Sequence, residues 1–96
     1  MTIDPNPDPK DSSAYHLLCT IVAALVDRTE AVLVTPTPQP EGVCFAIVVH
    51  SEDTGKLIGK EGRTARSIRT ILSAVGHKMS RRYSLDIASV RPQPGS

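Results

Sequence analysis

The sequence predicts an α+β domain in which a three-stranded sheet carries three helices on one face, in the order α-β-β-α-α-β. Apolar residues recur at helical spacing in two segments, 13–27 and 63–79. Apolar and β-branched runs at 31–35, 43–50 and 83–90 have the character of strands. A chain of 96 residues, 40% hydrophobic and 22% charged, supports one core and not two. Helices laid on one face of the sheet bury all of these stripes together.

The prolines mark the breaks. Pro5, Pro7 and Pro9 lie in the first eleven residues, Pro92 and Pro94 in the last six. Neither segment has the apolar surface to order itself, so 1–11 and 91–96 are expected to be disordered tails around a domain at 12–90. Helix 13–27 has N-cap candidates in Asp11, Ser12 and Ser13. Its Leu18, Ile21, Val22 and Leu25 fall at i, i+3, i+4 and i+7. "AVLVT", 31–35, is a short strand. "TPTPQPEG", with Pro36, Pro38 and Pro40, is expected to be a loop, because proline removes ladder donors. "VCFAIVVH", 43–50, is apolar almost throughout, as a central strand is. Ser51 is the expected cap of a short helix with Glu52 and Asp53 in its first turn, ending at Ile58 before Gly59. From Arg63 a longer helix carries Ala65, Ile68, Leu72, Val75 and Met79 on one stripe and continues through Gly76, at a cost of about 1 kcal/mol. Arg63, Arg66 and Thr70 point the other way, and Arg69 flanks the stripe. In "YSLDIASV", 83–90, Tyr83, Leu85 and Ile87 alternate inward with Ser84, Asp86 and Ala88 outward.

Several function classes are disfavoured. No apolar run reaches the 18 or so residues of a membrane span. "MTIDPNPDPKDSS" lacks the basic and apolar regions of a secretory signal, so the cytoplasm is the expected location. Cys19 and Cys44 stand alone, without CxxC or a histidine at ligand spacing, and are expected to be buried thiols; no metal or cofactor is implied. His16, His50 and His77 are dispersed, and no nucleophile, base and orienting residue fall into order, so no enzyme is expected.

The charge is more telling. The net value of +1 conceals a segment, 56–82, that holds Lys56, Lys60, Arg63, Arg66, Arg69, Lys78, Arg81 and Arg82 against one acid, Glu61. The remainder holds three bases and nine acids. A concentrated basic patch is the footprint of a polyanion site, although a solvated face has the same appearance.

Inside that segment, "LIGKEGRTARSIRTIL", 57–72, places Gly59-Lys60-Glu61-Gly62 directly before the basic helix. Glycine permits positive φ and close approach of another backbone. A helix N-terminus offers amide groups without intrahelical partners and a dipole that favours an anion. Lys60, Arg63 and Arg66 add charge, so the ensemble suits a phosphate. "GKLIGKE", 55–61, is not a nucleotide-binding P-loop. It is one residue short between the glycines, has glutamate where a magnesium-binding hydroxyl belongs, and follows a helix instead of a strand.

The string "EDTGKLIGKEGRTARSIRTIL", after an apolar strand and before a closing one, resembles the K-homology (KH) domain. The element order matches its type II topology, which makes the expected fold class a type II KH fold. Within that family the likeness is to small bacterial single-domain proteins of the KhpA/YlqC type, which share a "VIGKxGRxAxxIR" stretch and an opening helix ending in "LVD", here Leu25-Val26-Asp27. It covers residues 13–88.

The resemblance implies that the loop clamps the backbone of a single-stranded nucleic acid about four nucleotides long. The implied RNA-binding residues are Ile58, Gly59, Lys60, Glu61, Gly62, Arg63, Arg66, Arg69, Arg81 and Arg82. Ile58 floors the groove beside Ile68, with Leu57 adding aliphatic surface, while Arg81 and Arg82 close a far rim at the variable loop. Glu61 is expected to face water. The implied partners are single-stranded RNA and a second KH domain, as a homodimer or heterodimer, in an RNA chaperone or post-transcriptional regulator. One Phe, two Tyr and no Trp cannot build the aromatic platform of other RNA-binding folds. A protein-interaction module that docks an acidic partner on the basic face remains the alternative.

Overall fold

The computed structural model describes residues 11–90. Helix α1 spans Ser12–Leu25, strand β1 Leu33–Gln39, strand β2 Gly42–His50, helix α2 Thr54–Ile58, helix α3 Arg63–Met79 and strand β3 Arg82–Val90. Single 3-10 turns lie at Thr29–Ala31, Ser51–Asp53 and Lys60–Gly62. The α+β class and the element order are as expected.

The sheet order is β1-β2-β3, with β1 antiparallel and β3 parallel to the central β2. One face is buried: Val34 and Pro36 of β1, Val43, Phe45, Ile47 and Val49 of β2, and Tyr83 and Leu85 of β3. Register aligns them in rows, such as Val34–Ile47–Ile87 and Pro36–Phe45–Leu85. Onto these rows α1 packs Ala14, Leu18 and Val22, α2 packs Leu57, and α3 packs Ala65, Ile68 and Leu72. Phe45 and Tyr83 make a tilted ring pair, centroids 5.6 Å apart, in the middle of the core.

The proline-rich stretch is a strand, contrary to the expected loop. β1 runs through Pro36 and Pro38, paired with Phe45 and Val43, and only Pro40-Glu41 form the turn. An unbroken ladder requires that residues of one parity bond to β2 and those of the other parity point away. The two prolines share the outward parity of an edge strand, where a missing N–H costs no ladder bond.

Of the expected tails, 1–11 and 91–96, all but Asp11 lie outside the described residues. Asp11 is fully buried and stands at the N-cap position of α1, as expected, but its side chain makes no cap hydrogen bond and serves as a hub. Its carboxylate accepts from Arg81 Nε at 2.9 Å, from a second guanidinium nitrogen at 2.7 Å and from the Tyr83 hydroxyl at 2.7 Å. This ties the start of α1 to the α3–β3 corner. Burial, and then the neighbouring Asp11 carboxylate, push the Tyr83 phenol up to about 12. The thiols are only half-buried: Cys44 lies on the sheet face away from the helices, and Cys19 flanks the buried stripe of α1. Burial pushes the Cys19 thiol up.

Gly76 earns its place in α3 by contact. A Cβ there would stand 2.5 Å from the Arg81 carbonyl oxygen, where the chain doubles back into β3. The helix closes with Arg81 N–H donating to Gly76 O at 2.8 Å and Ser80 N–H to His77 O at 3.3 Å, a Schellman arrangement. It places Ser80 at φ 56°, the left-handed region. Ser80→Gly should therefore stabilise the domain by about 1 kcal/mol, read as a higher urea midpoint at unchanged m-value. A lower midpoint would mean that the serine side chain supports the corner.

Candidate nucleic-acid interface

The loop begins where α2 stops. Gly59 adopts φ 78°, ψ 174°, with its N–H bonded to Gly55 O at 2.8 Å. A Cβ at Gly59 would overlap the Thr64 hydroxyl and come within 2.8 Å of the Thr64 nitrogen, so both conformation and space exclude a side chain. Glu61 (φ 56°) and Gly62 (φ 75°) are also left-handed. Three positive-φ residues in four make the chain bulge outward before α3 starts. Lys60 and Glu61 are exposed at its tip. The Gly62 N–H donates to Gly59 O at 3.2 Å and the Arg63 N–H to Lys60 O, and among the described residues no side-chain cap is made at Gly62, so it is the positive end of the α3 dipole that faces this bend.

Beside the bend lies a hollow lined by Ile58, Gly62, Ala65, Arg66, Arg69, Asp86 and Ile87. It is the crease between α3 and β3. Ile58, 39% exposed, supplies an apolar wall. Leu57 and Ile68, expected beside it, are core residues with no surface to offer. α2 has five residues, too few for a stripe to show which isoleucine or leucine faces in. Their place in the hollow is taken by Ala65 and Ile87.

α2 is held from below by charge. Asp53, buried, accepts the Arg28 N–H at 2.9 Å and Lys56 Nζ at 3.3 Å, while Lys56 also reaches Asp27 at 3.3 Å. The Arg28 amide, foremost, holds the Asp53 carboxyl below its usual range, and the hydrogen bond to Asp27 leads in raising the Lys56 ammonium. Arg28 pairs with Glu52 at 3.0 Å. The cap preceding α2 is not Ser51: His50 Nδ1 accepts the Glu52 N–H at 3.0 Å. Lys56 thus serves the scaffold, not the patch.

Among the described residues, Lys60, Arg66 and Arg69 make no ion pair, and all three are exposed near the bend or in the crease. Arg63 stands 3.7 Å from Glu61, whose side chain is 71% exposed and so faces water. Ile58, Gly62, Arg66 and Arg69 meet in one hollow, with Gly59, Lys60, Glu61 and Arg63 contiguous with it in the chain. Arg81 and Arg82 do not join them. They lie past the other end of α3, about 25 Å along a 17-residue helix. Arg81 is held by Asp11, and Arg82 lies 3.7 Å from Glu41.

This geometry gives the sequence resemblance a concrete form. A profile of the KhpA/KhpB KH domain matches residues 16–87. The chain belongs to the KhpA/KhpB family of KH domains. It is 48% identical over 72 residues to the RNA-binding protein KhpA of Treponema pallidum, a match covering 75% of this chain and 90% of the other. It is 41% identical over 72 residues to the RNA-binding protein KhpA of Listeria monocytogenes, covering 75% and 95%. With the RNA-binding protein KhpA of Bacillus subtilis it shares 36% identity over 77 residues, covering 80% and 95%. The match sets one KhpA-type KH domain across the described residues.

Within this KhpA-type domain, Ala65, Asp86 and Ile87 line the hollow without having been expected there. The parity of β3 put Ile87 inward, which is correct as far as it goes. That β3 would be an edge strand running alongside the open side of α3 is a fact of topology, and only that juxtaposition turns an inward residue into a groove wall.

Proposed function

We propose that this chain is a non-enzymatic protein that binds single-stranded RNA by seating the sugar–phosphate backbone on the Gly59–Gly62 bend. The carrying observation is the left-handed, side-chain-poor bend at the uncapped start of a basic helix, open to a hollow with one apolar wall. The exposed tip at Lys60 and Glu61 presents its backbone to phosphate oxygens, with the positive end of the α3 dipole behind it. Lys60, Arg63, Arg66 and Arg69 neutralise the backbone, and bases rest against Ile58, Ala65 and Ile87. The names of the relatives favour RNA over an acidic protein partner.

With about four phosphates neutralised, the single-strand salt slope is about −0.7 × 4, near −3. A fourfold rise in salt is expected to weaken binding to a short RNA roughly fifty-fold. A fluorescence-anisotropy titration across salt concentrations measures this, and a flat dependence would remove the phosphate clamp.

A footprint this short without an aromatic platform binds weakly. A second RNA-binding unit raises effective concentration, so the chain works as a homodimer or beside another KH protein. The family's name, which joins KhpA and KhpB, supports such pairing. We place the protein in the cytoplasm as an RNA chaperone or post-transcriptional regulator. No helix among the described residues is long and apolar enough to cross a membrane. Crosslinking in cells, followed by sequencing of the attached RNA, identifies its targets.

A further inference from the structure

We propose that RNA held at the bend continues along the α3–β3 crease to a second phosphate-contact site formed by Ser73, His77 and Arg82. The proposal rests on the clamp described above and extends it. A second hollow, lined by Ser73, His77, Arg81, Arg82 and Tyr83, lies in the same crease as the first. The first hollow joins residues 62–69 of the α3 segment to Asp86 and Ile87, and the second joins Ser73 and His77 to residues 81–83. β3 returns antiparallel beside α3, so the two hollows follow one another along one path.

The exposed α3 side of that path is polar from end to end. Arg66, Arg69, Ser73 and His77 advance by 3, 4 and 4, which keeps them within about 80° of one another on a helix of 3.6 residues per turn. All four are exposed. Arg82, 80% exposed, faces them from the start of β3. Among the described residues no acid lines the second hollow, and the Glu41 carboxylate that stands 3.7 Å from Arg82 is a loose, solvated partner that a phosphate displaces at little cost. Arg81 is neutralised by Asp11, so the site's own contacts come from Ser73, His77 and Arg82. From Arg66 to His77 the helix advances about 16 Å. At about 3.4 Å per nucleotide of a stacked strand, that is room for at most about five more, and fewer if the strand is extended. The ligand is therefore a single strand of roughly six to nine nucleotides, longer than the clamp alone holds.

The test compares a four-nucleotide and a ten-nucleotide oligouridylate by amide chemical-shift mapping and by titration. Both are expected to shift residues 59–69, and only the longer one residues 73–82. The salt slope for the longer RNA should be steeper by about 0.7 per added phosphate contact. His77→Gln with Arg82→Gln should reduce affinity for the ten-mer at least five-fold and leave the four-mer unchanged. Both side chains are exposed and distant from the core, so a thermal melt should coincide with that of the wild type. If the ten-mer shifts only 59–69, or the double variant binds it normally, the second site is wrong and the clamp stands. If neither RNA shifts 59–69, both readings fall.

Discussion

Lys60→Asp with Glu61→Asp is expected to abolish binding to short single-stranded RNA while the melting temperature stays within a few degrees. The exchange alters the net charge of the bend by −2 and leaves both glycines in place. A phosphate approaching the tip of the bend then meets two carboxylates where one ammonium had drawn it in. In water, one unit charge at 4 Å already contributes about 1 kcal/mol, and more near a protein surface. Loss of a single phosphate contact also removes about 0.7 from the salt slope. The fold should not notice. Lys60 and Glu61 are exposed, and aspartate accepts the left-handed conformation of position 61 more readily than most residues. Substituting Gly59 is the poorer experiment, because its Cβ would collide with Thr64 and confuse a damaged loop with a lost contact. Retained affinity in the double variant, with a normal melt, would show that the bend is not the clamp.

Asp11→Ala should cost about 3 kcal/mol of stability, a drop in melting temperature of more than about 10 °C for a domain of this size. The carboxylate is fully buried and satisfies two guanidinium nitrogens and the Tyr83 hydroxyl at once. Removing it leaves a half-buried cation and a buried phenol without that partner. The Arg81 side chain keeps 22% exposure, which places the cost at the lower end of the range for breaking a buried pair. Replacing all three by apolar residues, Asp11→Leu with Arg81→Met and Tyr83→Phe, should recover much of the loss, since no charge is then stranded. A proton-linked signature accompanies this network. Tyr83 holds its proton to about 12 in the folded state, against an ordinary value near 10. Its contribution is complete below pH 10 and is lost as pH rises from 10 towards 12. The stability gap between wild type and Tyr83→Phe should therefore narrow across that window in denaturant titrations. A constant gap would mean that the phenol ionises normally.

These two experiments fall on opposite sides of what a reader of the sequence can see. The bend was legible because its causes are local: two glycines, a basic tip and a helix start lie within five residues. The stripes of α1 and α3 were legible for the same reason, as their period repeats over three or more turns. Asp11 was not, because its partners are 70 and 72 positions away and a short proline-rich approach disguises the residue as part of a tail. His50 was read as a strand end, and its ring turned out to accept the amide that Ser51 was expected to take. Pro36 and Pro38 misled because the rule against proline in strands depends on which side of an edge the nitrogen faces, and parity across a hairpin is known only once the register is. Of the expected arginines, Arg66 and Arg69 reach the hollow through helical phase alone. The separation of Arg81 and Arg82 from the bend follows from the length of α3, which the sequence stated plainly and the assignment of the two arginines to the far rim of one groove did not use.

The two prolines of β1 have an effect beyond that strand. An exposed sheet margin is a template on which another chain can polymerise by adding strand after strand. Here the outer margin lacks its donors at alternate positions, so an incoming strand finds no continuous row to copy. A small domain can then be present at high concentration, or unfold and refold repeatedly, without seeding fibrils from that side.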